Sequence, residues 1–269
     1  MRLSTLLAAG LLFAMSSPLW AERSILVQST TSTANSGLYD HILPIFAKAT
    51  GITVNVVAVG TGQAIRNAQN CDGDVLLVHA KAAEEAFVQE GYGVSRADVM
   101  YNDFVFVGPP SDPAGIAGGS DAAVALTAIA ETEALFVSRG DDSGTHKKEM
   151  ALWASADIDP TGASGTWYRE TGSGMGATLN VGVGMSGYVM TDRATWISFG
   201  NKGDFGIVVE GDPALFNQYG VILVNPSRCP SVKAEDGQAF IDWLVSADGQ
   251  SAIGAYTRDG QQLFFPNAQ

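Results

Sequence analysis

Ile25-Leu26-Val27-Gln28 runs directly into Ser29-Thr30-Thr31-Ser32-Thr33, and Leu38, Ile42, Ile45, Phe46 and Ala49 then recur three and four residues apart. Such a sequence reads as a buried strand, a hydroxyl-rich turn and an amphipathic helix in immediate succession. Pro44 falls inside that helix and is expected to kink it. The same unit returns along the chain. Val54 to Val59 leads through Gly60-Thr61-Gly62-Gln63 into a short helix ending near Asn70. Asp74 to His79 precedes a helix from Lys81 to Glu90, with Gly91 placed to terminate it. Phe104 to Val107 forms a strand stopped by Pro109-Pro110, and Val124 to Ile129 a helix. Ala134 to Val137 opens on Ser138-Arg139-Gly140-Asp141-Asp142-Ser143-Gly144-Thr145-His146 and a helix reaching Ala154. Trp167-Tyr168 begins a short strand, and Gly172-Ser173-Gly174-Met175-Gly176 turns into another helix. Tyr188 to Met190, Gly206 to Val209 and Val221 to Val224 read as strands, and Phe240 to Val245 as part of a late helix. Alternation of strand and helix predicts an α/β fold with parallel sheets covered on both faces.

The 269 residues, 46% apolar and 16% charged, leave room for two lobes with separate cores. Met1-Arg2, the apolar run Leu6 to Met15 and the small-residue stretch ending at Ala21 have the form of a cleaved secretory leader. No cysteine follows that run until Cys71, which disfavours a lipid anchor. In an exported chain the two cysteines, Cys71 and Cys229, suggest one disulfide, with two free thiols as the alternative. A formal charge of −13, one unit more negative once Arg2 leaves, argues against nucleic acid or an anionic membrane as partner. It does not exclude a small anion held by directed donors.

Four segments share one construction: Ser29 to Thr33, Gly60 to Gln63, Ser138 to His146 and Gly172 to Gly176. Each is rich in Ser, Thr or Gly, and each opens a helix. Helix N-termini present unpaired amides and a positive dipole end, hydroxyls add donors, and glycine lets backbone approach a ligand closely. One such segment is explained by helix capping alone; four together point to an anion. Arg139 is the single cation in these loops, and a guanidinium offers a fixed fork of donors to an oxyanion. Its structural alternative is a pair with Asp141 or Asp142.

Other patterns fail on context. Gly182-Val-Gly-Met-Ser-Gly187 matches a dinucleotide fingerprint but precedes a strand instead of following one. Three scattered histidines, His41, His79 and His146, do not make a zinc site. His79 ends an apolar strand and is expected to be a buried, satisfied histidine. Asp141, Ser143 and His146 crowd onto one loop, a poor layout for a catalytic triad.

Ser29-Thr-Thr-Ser-Thr33 resembles the TTTS signature of periplasmic tungstate-binding proteins of the TupA type. Val59-Gly-Thr-Gly-Gln63, Asp74 to His79, Asn102 to Val105, Ser138 to His146, Gly174 to Leu179 and Thr191 to Trp196 resemble that family too. The likeness covers most of the chain beyond the leader, and Ser138 to His146 is its most specific piece. Ser29 departs from the signature's first Thr but keeps a hydroxyl. The resemblance implies a type II periplasmic-binding-protein fold, two α/β lobes joined by hinge strands, with residues 22–105 and 198–269 in lobe 1 and 106–197 in lobe 2. It implies Thr30, Thr31, Thr61, Arg139, Ser143 and Thr145 as ligand-holding residues, with Ser29, Gly62, Gly144, Met175 and Gly176 as secondary contacts. The expected ligand is tungstate or molybdate, bound through its oxygens, with no cofactor, no metal cation and no catalysis. The expected partner is the membrane permease of an ABC importer, and the expected form a periplasmic monomer.

Two rivals stand beside this reading. One is a phosphate- or sulfate-binding protein of the same fold; the other is a secreted enzyme acting on phosphate or sulfate esters. Tungstate is fully deprotonated at neutral pH and needs donors only, whereas phosphate keeps a proton that an acceptor such as Asp141 or Asp142 would take.

Overall fold

The computed structural model describes residues 23–258 and 260–268. The proposed leader, 1–21, lies outside them. The first half runs β1 (Arg23–Thr30), α1 (Thr31–Asn35), α2 (Leu38–Thr50), β2 (Ile52–Val59), α3 (Thr61–Gln69), β3 (Val75–Val78), α4 (Lys81–Gln89) and β4 (Gly93–Gly108). There follow α5 (Ala122–Glu131), β5 (Phe136–Ser138), α6 (Gly144–Ser155), β6 (Tyr168–Glu170), α7 (Met175–Met185), β7 (Val189–Asp192), α8 (Arg193–Ser198) and β8 (Gly206–Val209). The chain closes with β9 (Phe216–Val224), α9 (Ala234–Val245), α10 (Ala247–Ala255) and the short strands β10 (Thr257–Arg258), β11 (Gln261–Gln262) and β12 (Phe265–Pro266).

The long strand β4 organises the molecule. Its first part, Gly93 to Asp103, pairs antiparallel with β9, and the sheet continues through β3 and β1 to β2. Its last part, Phe104 to Gly108, pairs antiparallel with β7 and β8. One strand thus runs from one sheet into the next. The expectation of parallel sheets holds for β1 with β2 and β3 and for β5 with β6, and is corrected elsewhere, because β9 returns antiparallel between β3 and β4. The apolar run in β9 is the same for either direction; what it records is burial on both faces.

That burial is explicit. Along β3, Val75 and Leu77 pack with Ile25, Phe46 and Phe240 on one face, while Leu76 and Val78 pack with Ala64, Phe87 and Ile222 on the other. Along the end of β4, Phe104 and Phe106 join Phe136, Trp153, Tyr168 and Leu215, while Val105 and Val107 join Met175, Leu179 and Trp196. Period-two alternation sends successive side chains into different layers. Each half is therefore a helix–sheet–helix sandwich, as expected for the two-lobed α/β fold. Cys71, after α3, and Cys229, before α9, form a disulfide with a Cα–Cα distance of 5.2 Å.

Two local expectations differ. The polar run after β1 is not all loop: Thr30 caps the five-residue helix α1, its Oγ1 accepting from the Thr33 amide at 3.3 Å. β4 begins eleven residues before Phe104, since polar Ser95, Arg96 and Asp98 lie within it. Pro44 sits inside α2, as expected.

Candidate functional site

The turn from β5 to α6 carries Arg139. The guanidinium is 2% exposed. Its Nη2 donates to Asp141 Oδ2 at 2.6 Å, and Asp141 Oδ1 also accepts from the Ser143 amide at 3.3 Å. Gly140 and Asp142 adopt positive φ, +58° and +57°, which folds the loop tightly enough for that brace. Behind it, the Gly140 amide donates to Ser138 Oγ at 3.2 Å, and Ser138 Oγ donates to Glu149 Oε2 at 2.8 Å. Tyr168 and Trp153 donate to the other oxygen of Glu149. Burial pushes the Glu149 carboxyl up to about 7.

Ser143 caps α6 by accepting from the His146 amide at 3.1 Å. The His146 ring accepts from the Asp142 amide at 3.1 Å and has no bond to Ser143 Oγ, so the triad layout is absent here. Gly144 donates its amide to Thr61 Oγ1 at 2.9 Å, which joins the starts of α3 and α6. A Cβ at Gly144 would stand 2.9 Å from Thr61 Oγ1 and 3.1 Å from the His79 ring, so glycine permits this approach. Thr61 keeps its own hydroxyl proton for another acceptor. α3 and α7 begin at Gly60 and Gly174, which offer no side-chain acceptor to their first-turn amides.

The start of α1 lies against α7 and α8. A Cβ at Gly174 would stand 3.6 Å from Thr31 Oγ1, and Thr195 Oγ1 lies 3.4 Å from the Ser32 carbonyl. Asp192 caps α8, accepting from the Thr195 amide at 2.8 Å and from its hydroxyl at 2.7 Å. The Arg139 charge acts on both Asp192 and His79, lowering the pKa of each, against the effect of burial at Asp192 and along with it at His79. His79 is buried and stacks on Tyr219 at 4.8 Å between ring centroids. The Asn217 amide donates to Asn102 Oδ1 at 2.6 Å, so its Oδ1 accepts from His79 Nδ1 at 3.1 Å. His79 Nε2 then accepts from Ser32 Oγ at 3.0 Å. Burial lowers the imidazole to about 4, against the Asn217 bond and with the Arg139 charge, so it is neutral near pH 7.

Among the described residues, four buried side-chain atoms lack a hydrogen-bond partner: Thr31 Oγ1, Thr145 Oγ1, Arg139 Nε and Arg96 Nη2. The first three belong to residues singled out from the sequence. An unsatisfied buried polar group costs about 1–3 kcal/mol, so each of these three is a buried polar group left in need of a partner. Asp141 is committed to Arg139, and Asp142 to Lys147 and Arg66.

The remaining expected residues divide. Thr30 is buried as the α1 cap, its Oγ1 2.7 Å from Thr33 Oγ1. Ser29 is turned into the fold, bonded to Tyr39 and donating to the Leu77 carbonyl at 2.8 Å. The Met175 side chain fills the core beside Leu179 and Val189, leaving only its backbone on the site side. Gly62 packs against Asp142, and Gly176 lies beside Asn35. Sequence reasoning overlooked Ser32, Asp192 and Thr195. For Asp192 and Thr195 the signal was the Asp192-x-x-Thr195 capping pattern within a quoted motif.

Comparison with known proteins gives the family. The model of the PBP superfamily domain matches residues 18–248. The tungstate-binding protein TupA of Peptoclostridium acidaminophilum is 50% identical over 254 residues, covering 92% of this chain and 87% of that protein. The TupA structure from Desulfovibrio alaskensis G20 superposes with a TM-score of 0.78 at 48% identity, covering 92% of this chain and all of that one. The structure named as the tungstate ABC transporter from Geobacter sulfurreducens gives 0.80 at 46%, covering 88% of this chain. The chain therefore belongs to the PBP superfamily and, within it, to the TupA family of tungstate-binding proteins.

Proposed function

We propose that the protein captures tungstate between its two lobes and delivers it to the permease of an ABC importer, without catalysing a reaction. The observation that carries this reading is the set of orphaned buried donors, Thr31 Oγ1, Arg139 Nε and Thr145 Oγ1, while the carboxylates of Asp141, Asp142 and Asp192 already accept from Arg139, Lys147 and Thr195. A donor-only site suits a fully deprotonated oxyanion and disfavours phosphate, which retains a proton. The names of the TupA relatives support tungstate in particular, and molybdate, alike in charge and shape, is the second ligand. The ligand-holding set is Thr30, Thr31, Thr61, Arg139, Ser143 and Thr145, joined by the unclaimed first-turn amides of α3, α6 and α7.

Export to the periplasm through the leader, and action as a monomer, belong to the same proposal. So does the division into lobes. Val208, Val209 and Leu215 pack with Phe104 and Phe136, which favours placing the return crossing after Leu215 instead of at residue 198. Lobe 1 is then 22–103 with 216–269, and β4 and β9 are the hinge strands. Titration calorimetry with tungstate, repeated in excess sulfate and phosphate, tests the reading. Submicromolar binding undisturbed by either competitor is expected; displacement by phosphate, or turnover of a phosphate or sulfate ester, would favour a rival.

A further inference from the structure

A cleft of about 610 Å³ lies beside the hinge, walled by the start of α4, by α6 and by the hinge strands β4 and β9. None of the six ligand-holding residues lines it. His79 and Gly144 form the partition between this cleft and the anion site. Its apolar wall includes Phe104, Phe216, Ala82, Ala83 and Ala151, the alanines leaving open the space between the two helices.

The charges on the wall nearly cancel. Lys81 faces Glu85 at 3.9 Å, Lys147 pairs with Asp142, and Asp98 is held by Arg96 at 2.5 Å. Lys148 has no ion pair or hydrogen bond among the described residues, and burial lowers its ammonium, with Asp212 acting weakly against the shift. The start of α4 adds donors. Its cap position is Ala80, which has no side-chain acceptor; Glu84 takes the Ala80 amide at 2.5 Å and the Ala83 and Glu84 amides donate to the Ala80 carbonyl, so the Lys81 and Ala82 amides are the donors it offers. One cation without an ion-pair partner among the described residues, the start of a nine-residue helix with two open amides and an apolar chamber thus meet at one cavity.

From this arrangement we infer that the cleft is a second ligand site, for a small amphiphilic monoanion such as an aromatic or short-chain carboxylate or sulfonate. The charged end sits between Lys148 and the start of α4, and the apolar body lies against Phe104, Phe216 and Ala151. Because both lobes supply walls, an occupant favours the lobe spacing seen here and so tightens oxyanion binding. This coupling rests on the proposed tungstate function; the site itself does not.

The test is a fluorescence titration of the whole protein with 8-anilinonaphthalene-1-sulfonate. One saturable site is expected. Lys148→Gln should weaken it about tenfold, the loss of one charge-assisted contact, and Ala151→Trp, at an exposed position, should abolish it by filling the chamber. Both variants should keep wild-type tungstate affinity. Saturating tungstate should tighten dye binding by the same factor by which the dye tightens tungstate, since coupling is reciprocal. Dye that fails to bind, or binds equally to wild type and both variants, overturns the site; independent binding of dye and tungstate overturns the coupling. If the dye results hold while wild type ignores tungstate, the hinge site stands and the tungstate reading falls.

Discussion

Arg139→Ala removes a guanidinium that is 2% exposed, has one nitrogen on Asp141 at 2.6 Å and another without a partner. A charge-assisted hydrogen bond to the anion is worth about 1.5–3 kcal/mol, or roughly 10- to 150-fold in Kd. The truncation also leaves the Asp141 carboxylate uncompensated beside a dianion, so tenfold is a floor. Titration calorimetry with sodium tungstate reads the affinity, and thermal unfolding checks that the fold survives. Adding Asp141→Asn to Arg139→Ala should recover part of the loss by removing the repulsion, although each change alone weakens the brace. Tungstate affinity within twofold of wild type in a folded Arg139→Ala protein would remove the guanidinium from the site.

Thr145→Val deletes a buried hydroxyl without a partner at nearly constant volume; ligand-free stability by urea unfolding should be unchanged or higher, while tungstate affinity falls about tenfold. Ser29→Ala should do the reverse, costing about 1 kcal/mol of stability through the lost Leu77 bond with affinity within twofold of wild type. Replacing Cys71 and Cys229 together by serine should cost about 2–5 kcal/mol in the same unfolding assay and leave tungstate affinity intact. Burial raises Glu149 from an ordinary 4.5 to about 7, so the folded state holds a proton that the unfolded chain releases. Its contribution to stability is then present below pH 4.5 and lost as pH rises to 7. Glu149→Gln should flatten that part of the urea-midpoint profile between pH 5 and 8, and an unchanged profile would reject the assignment.

The alternation of strand, hydroxyl-rich turn and helix was legible because burial on both faces makes apolar runs and helix starts need caps and donors. Thr31 and Thr145 were picked out by the family resemblance and Arg139 as the one cation in the helix-opening loops, and each of them is buried with an unpartnered atom. Strand direction was not legible, since Val221 to Val224 reads alike parallel or antiparallel. The early part of β4 was hidden by Arg96 and Asp98, whose charges are paired with each other and with Glu84 inside the fold. α1 was hidden because Thr31-Ser-Thr-Ala-Asn35 has poor helix propensity and is held by its cap and by tertiary packing. Networks were invisible for a different reason. Ser32, His79, Asn217 and Asn102 meet only after the chain has crossed between sheets, and the Ser138–Glu149–Tyr168 cluster likewise joins separate elements. No local pattern records such meetings. Ser29 shows the converse: the right residue type beside the right loop, used by the core.

A crystal structure of the protein grown with tungstate, with anomalous data collected at a tungsten absorption edge, tests the convergence of donors most directly. One strong peak is expected, its oxygens within hydrogen-bonding distance of Thr31 Oγ1, Thr145 Oγ1 and the Arg139 guanidinium. A peak bound elsewhere on the molecule, with those three groups still unpartnered, would contradict that convergence.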